Sequence, residues 1–122
     1  MDETFFRSYY AAYNTASETA LAPFLADDVV MVSAFGESKG KEAYLQTFRW
    51  MTSMFVDQLI PEKISISGAQ AEIDVLDKLE ARADVPDFLG QSYRKGARLE
   101  FRIRGTYQVK NGKIQHITIV PK

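Results

Sequence analysis

Residues 99–120, LEFRIRGTYQVKNGKIQHITIV, restrict the fold more than any other stretch of the chain. Leu99, Phe101, Ile103, Tyr107 and Val109 alternate with Glu100, Arg102, Arg104, Thr106 and Gln108. A period of two puts apolar side chains on one face of a strand and polar ones on the other. Asn111-Gly112 then supplies the positive φ angles of a two-residue type I′ turn, which predicts a hairpin with Lys110 opposite Lys113. Continued without interruption, that register sets Val109 against Ile114, Tyr107 against His116, Gly105 against Thr118 and Ile103 against Val120, all on the apolar side. His116, the one histidine of the chain, is thereby predicted to face inward. The opposite side is predicted to carry Arg102, Arg104, Thr106, Gln108, Gln115, Ile117 and Ile119. Two isoleucines on a polar face point to a partner surface, so a homodimer through the outer sheet face is expected.

The first half of the chain has a different period. From Glu3 to about Ala16, Phe5, Phe6, Tyr9, Tyr10, Ala12, Tyr13 and Ala16 recur at helical spacing and predict an amphipathic helix. Ser17 is placed to cap a second, short helix, which Pro23 ends or bends. A strand is expected over 29–35, with Met31, Ser33 and Phe35 on one face, followed by a glycine-bounded turn, GESKG, at 36–40. KEAYLQTFRWMTSMF, 41–55, returns to helical spacing through Tyr44, Phe48, Met51 and Phe55. After Pro61 the period is again two, through Ile64 and Ile66 and then Ala71, Ile73, Val75, Asp77, Leu79 and Ala81. Residues 84–96 are expected to form a loop. Helices followed by an antiparallel sheet give an α+β class, and 122 residues suffice for one domain, 1–122, with one core.

Composition removes several function classes. Fifteen basic and sixteen acidic side chains, a net charge of −1, provide no field for a phosphate backbone, so no nucleic-acid partner is expected. The start, MDETFFRSYYAAY, has neither a basic leader nor an apolar core of signal-peptide kind, and no run reaches the length of a membrane span. A cytoplasmic protein with no membrane partner is expected. Absence of cysteine rules out thiolate metal sites and cysteine nucleophiles. With a single histidine and no HExxH, P-loop or GxGxxG string, neither a metal nor a cofactor is expected.

Two side chains stand out as carriers of protons. Asp77 lies on the apolar side of its strand between Val75 and Leu79, where a carboxyl is expected to titrate high unless paired; a bulge reversing the parity would instead turn it to solvent. His116, with Tyr107 opposite, fits either a general acid or base or a core histidine bonded to the tyrosine. Gly105 on the same face is expected to leave space beside that pair.

FLADDVVMVS, then GESKGKEAYLQTF, then FLGQSYRKGARLEFRIRGTYQVKNGKI, in this order over almost the whole chain, resemble the nuclear transport factor 2-like superfamily, in particular its SnoaL-like and ketosteroid-isomerase-like branches. The resemblance implies a cone-shaped, cystatin-like α+β barrel, its N-terminal helices packed in a curved antiparallel sheet around an apolar pocket, commonly as a dimer. It also implies that Tyr9 stands where ketosteroid isomerases carry their oxyanion-stabilising tyrosine and Ser33 where they carry the aspartate base. A serine hydroxyl has no carboxylate-like state near neutral pH and does not replace that base. The acid completing the isomerase oxyanion hole would fall near Arg104 or Gly105, and the last-strand acid of SnoaL-like cyclases near Ile119; no acid stands at any of these. The Arg and Asp arrangement of limonene epoxide hydrolases is not recognisable either.

The expected pocket is lined by Tyr9, Tyr13, Ser33, Phe35, Trp50, Phe101, Tyr107 and His116, with His116, Asp77 and Tyr9 as its proton-handling groups. Two functions fit it. One is a small-molecule-binding protein with an apolar pocket; the alternative is an isomerase, cyclase, dehydratase or hydrolase acting on a small hydrophobic, oxygenated substrate.

Overall fold

A computed structural model describes all 122 residues. Helix α1 (Glu3–Asn14) begins where the Asp2 carboxylate accepts a hydrogen bond from the Phe5 N–H at 2.9 Å. Phe6, Tyr9 and Tyr10, spaced three and four apart, form its buried face. Ser17 caps α2 (Glu18–Leu21) through the Ala20 N–H, and Pro23 lies in the single 3-10 turn that follows. Strand β1 (Leu25–Ser33) starts four residues before the expected Val29, because Leu25 already pairs with Ile114 ahead of a bulge.

GESK, expected as a turn, is strand β2 (Gly36–Lys39), antiparallel to β1 from Ser33↔Gly36 to Val30↔Lys39. The reversal lies one step earlier, at Ala34-Phe35. Its charged, exposed residues suit a strand at the edge of a sheet. Helix α3 (Lys41–Met54) buries Tyr44, Leu45, Phe48 and Met51. Strand β3 (Phe55–Ser67) follows at once and runs through Pro61, not after it. Pro61 is tolerated because β3 is the other edge of the sheet and carries a bulge between Pro61 and Lys63.

Strand β4 (Gln70–Ala81) buries Ala71, Ile73, Val75, Leu79 and Ala81 of the expected alternate residues, with Asp77 half-buried on the same face. The expected loop contains a small hairpin, β5 (Val85–Phe88) and β6 (Gln91–Tyr93), whose turn residues Leu89 and Gly90 both have positive φ. Strands β7 (Arg98–Lys110) and β8 (Lys113–Pro121) complete a six-stranded sheet in the order β2-β1-β8-β7-β4-β3. The β1–β8 ladder is parallel, so the curved sheet of this α+β fold is mixed rather than purely antiparallel. Helices α1 and α3 pack on its concave face, where one cluster joins Phe6, Tyr10, Leu21, Ile73 and Ile114.

The hairpin turn forms as expected, with Lys110↔Lys113 and Val109↔Ile114, but the register then slips. One extra residue in β8 sets Gln108 against His116, Tyr107 against Ile117 and Gly105 against Ile119. A one-residue bulge exchanges the faces of everything beyond it. Ile117 becomes 1% exposed on the concave side, while His116 and Thr118 turn to the convex side with Gln108 and Thr106. Fully burying an isoleucine is worth roughly 1.5–3 kcal/mol, and Ile117, with a half-buried Ile119 beside it, offsets a local break in the ladder. The inward histidine and the outward isoleucines are both corrected by this single bulge.

Without those isoleucines the convex face is a lattice of ion pairs across neighbouring strands. Arg104 and Lys122 both bind Asp74, at 2.9 and 2.8 Å, and Arg102 binds Glu62 at 3.2 Å. No helix of the fold is long and apolar enough to cross a membrane.

Candidate functional site

The concave face holds two carboxyl groups that no basic side chain meets. Asp57 on β3 pairs with Leu79 and Asp77 on β4 pairs with Leu59, so the acids are diagonal neighbours on one face. The Tyr13 hydroxyl donates to Asp57 Oδ2 at 2.7 Å. Asn14, the next residue, clamps the free edge of β3: its amide donates to the Leu59 carbonyl at 3.0 Å and its oxygen accepts from the Leu59 N–H at 2.8 Å. The side chain imitates a neighbouring strand and fixes the end of α1 above Asp57.

Asp57 Oδ1 and Asp77 Oδ1 are buried without a donor. Two acceptors in mutual reach are satisfied only when one carries a proton. Burial, then the hydrogen bond and charge of Asp57, push the Asp77 carboxyl far above the usual carboxylate range. Tyr13 donates to Asp57, so the negative charge is better placed there and the shared proton on Asp77.

Above the acids lies a cluster of phenols. The Tyr9 and Tyr44 hydroxyls meet at 2.6 Å and those of Tyr10 and Tyr107 at 2.8 Å; Tyr9 also acts on Tyr107. Burial pushes Tyr9 and Tyr10 well above their ordinary values and Tyr107 to about 12, so all three remain neutral donors. The Tyr107 ring lies over Gly105, where an added Cβ would stand 2.7 Å from the ring. The space expected beside Gly105 is filled by that ring.

Two adjoining cavities open from this arrangement. The inner one, about 120 Å³, is bounded by the tyrosines, Asp57, Asp77 and apolar residues of β1, β7 and β8. The outer one, about 190 Å³, reaches the surface past Phe88, Leu89 and Phe101. Ser33, Phe35, Met51, Asp77, Ile103 and Ile119 border both, so Asp77 stands at the waist between them.

Residues 6–117 match the SnoaL-like domain. The chain belongs to the SnoaL-like domain family. Solved structures agree on the fold of this SnoaL-like domain. AclR, a candidate hydroxylase from Streptomyces galilaeus, superposes with a TM-score of 0.80 at 15% identity, covering 98% of this chain and 87% of that one. A candidate polyketide cyclase from Pseudomonas putida gives 0.79 at 20% identity, over 97% and 89%. An M. tuberculosis epoxide hydrolase described as LEH-like gives 0.77 at 17% identity, over 98% and 80%. No curated protein matches the chain in sequence.

Within the SnoaL-like domain, Tyr9, Tyr13, Ser33, Phe35, Asp77 and Tyr107 border the inner cavity and Phe101 the outer one. Trp50 borders neither; it packs behind the wall, 4.9 Å from the Phe35 ring and 6.2 Å from Phe88. His116 is on the convex face, paired with Gln108 and Val30, and does not reach the cavities. The bulge that would have turned Asp77 outward occurs on β3 at Pro61 instead, and Asp77 faces in. Asp57 is the residue that sequence reasoning missed. Its signal was weak, since Val56 and Ile60 are as apolar as Phe55 and Leu59 and leave no clear alternation around Asp57.

Proposed function

We propose that this SnoaL-like domain is an acid–base enzyme acting on a small, apolar, oxygen-bearing molecule, with Asp57 and Asp77 as its proton-handling pair. The observation that carries the reading is the pair itself, buried, unmatched by any cation and set at the waist of a cavity open to solvent. Such a pair costs folding stability and gives nothing to packing, which favours a chemical role. Two carboxyls sharing one proton provide a base and an acid at the same pH. Asp57, ionised and steadied by Tyr13, takes a proton from carbon or water; Asp77 gives its proton to the substrate oxygen as charge develops there. Isomerisation, cyclisation, dehydration and hydrolysis all use that exchange, and among the structural neighbours are a candidate polyketide cyclase and an epoxide hydrolase.

The alternative, a protein that binds such a molecule without converting it, uses the same cavity but leaves the carboxyl pair without a task. Turnover separates them. In a screen of small ketones, alcohols and epoxides, Asp57→Asn and Asp77→Asn are each expected to reduce turnover about 10²–10⁴-fold with no loss of Tm. Turnover that survives both substitutions would contradict the assignment. Homodimerisation through the convex face is a separate proposal, now resting on Val30, Val32 and the exposed Val120, and sedimentation tests it.

A further inference from the structure

Resting on that reading, we propose that the substrate is a neutral molecule of about two fused rings with one oxygen acceptor, its oxygen-bearing ring in the inner cavity and its apolar ring in the outer one. Size comes first. An apolar cavity of about 150 Å³ takes one benzene, and the inner and outer cavities are about 120 and 190 Å³. Each holds roughly one ring, and the shared border at Ser33, Asp77 and Ile103 makes a two-ring molecule span the waist. A four-ring steroid has nowhere to place its remaining half except solvent.

Polarity sets the orientation. Tyr9, Tyr44, Tyr10 and Tyr107 have four O–H groups and at most three mutual links, so at least one donor is left for a guest acceptor in the inner cavity. The outer cavity offers aromatic and aliphatic walls, Phe88, Leu89 and Phe101 among them, with Phe35 and Leu89 exposed at the rim. Charge sets the last condition. The inner cavity contains a carboxyl pair and no basic side chain, and the Arg102 that borders the outer one is engaged by Glu62. An anionic guest would meet a like charge in a desolvated site.

The test is a binding series on the intact protein, read by the fluorescence of Trp50, which packs against two wall residues, and by thermal shift. The probes are 1-tetralone, cyclohexanone, 1-naphthoate and a four-ring steroid ketone. Tetralone is expected to bind saturably and at least tenfold more tightly than cyclohexanone or naphthoate, with no saturable response to the steroid. Ser33→Phe, which plugs the waist, is expected to weaken tetralone more than tenfold, whereas His116→Ala, on the convex face, leaves it bound. A steroid or naphthoate that binds as well as tetralone overturns the size or the charge condition. No saturable tetralone binding, including the case of a dimer whose second copy covers the rim, overturns the proposal outright. None of these readouts depends on turnover, so they fail independently of the acid–base assignment.

Discussion

Asp74 and Asp77 stand on the same strand, on opposite faces of one sheet, and their carboxyls are driven in opposite directions. Asp74 is only 6% exposed, yet the hydrogen bonds of Arg104 and Lys122 hold it below the ordinary carboxylate range. Asp77 meets no cation; burial and then Asp57 push it up. Asp77 is half-buried and Asp74 is covered more completely still, so coverage alone does not decide the charge of a carboxyl. The partner decides it, and the partner follows from which face the side chain occupies. The convex face uses its acids to tie strands together, and the concave face leaves its acids without a cation.

The sharpest way to break this contrast lies in two adjacent residues of β8. Ile117→Arg puts a charge into the concave core and is expected to cost about 3–5 kcal/mol, whereas His116→Arg, on the convex side, should stay within about 0.5 kcal/mol. Urea unfolding of both variants checks the bulge directly, since an uninterrupted register would reverse the order. Next in size is Gly105→Ala. Its Cβ would push against the Tyr107 ring, an overpacking expected to cost about 1–3 kcal/mol and to disturb the Tyr10–Tyr107 bond, visible in the near-ultraviolet circular dichroism of the tyrosines.

The two aspartates give the pH dependence opposite slopes. Folding raises the Asp77 pKa from 3.8 to about 9, so the native state binds the extra proton in between. Its contribution to stability is therefore complete below about pH 4 and is lost as pH rises toward 9. Asp77→Asn is expected to flatten that decline and to raise Tm at pH 8. Folding lowers the Asp74 pKa to about 2, so its contribution is present above about pH 4 and is lost as pH falls toward 2. Asp74→Asn should remove that acid limb with a smaller change in Tm at neutral pH, because Arg104 and Lys122 are both 41% exposed and screened by solvent. Thermal melts of both variants from pH 2 to 9 sharpen the comparison.

Alternation and turn chemistry made most of the architecture legible in the sequence. The stripe through Phe6, Tyr9 and Tyr10, the cap at Ser17 and the Asn111-Gly112 turn are local signals, and each acts where it stands. The β8 bulge is not local. It follows from Ile114, Ile117 and Ile119 competing for one core, a competition decided only when the helices are in place. The same limit governed the site. Asp77 was legible from the parity of its own strand, but Asp57 became visible only when β3 paired with β4 and set the two acids diagonally. Tyr13 reached Asp57 because Asn14 pins the end of α1 to the edge of β3, a contact between residues 45 apart that no periodicity encodes.

Carboxyl-carbon NMR titration of the aspartates tests the contrast at its centre, since it reads each side chain separately and needs no substrate. The Asp77 carboxyl is predicted to titrate above neutrality, while Asp74 stays ionised below pH 3. Asp77→Asn should abolish the high step and leave that of Asp74 in place. An Asp77 carboxyl that titrates near pH 4, as in an unfolded chain, would contradict the shared proton and with it the acid–base reading of the concave face.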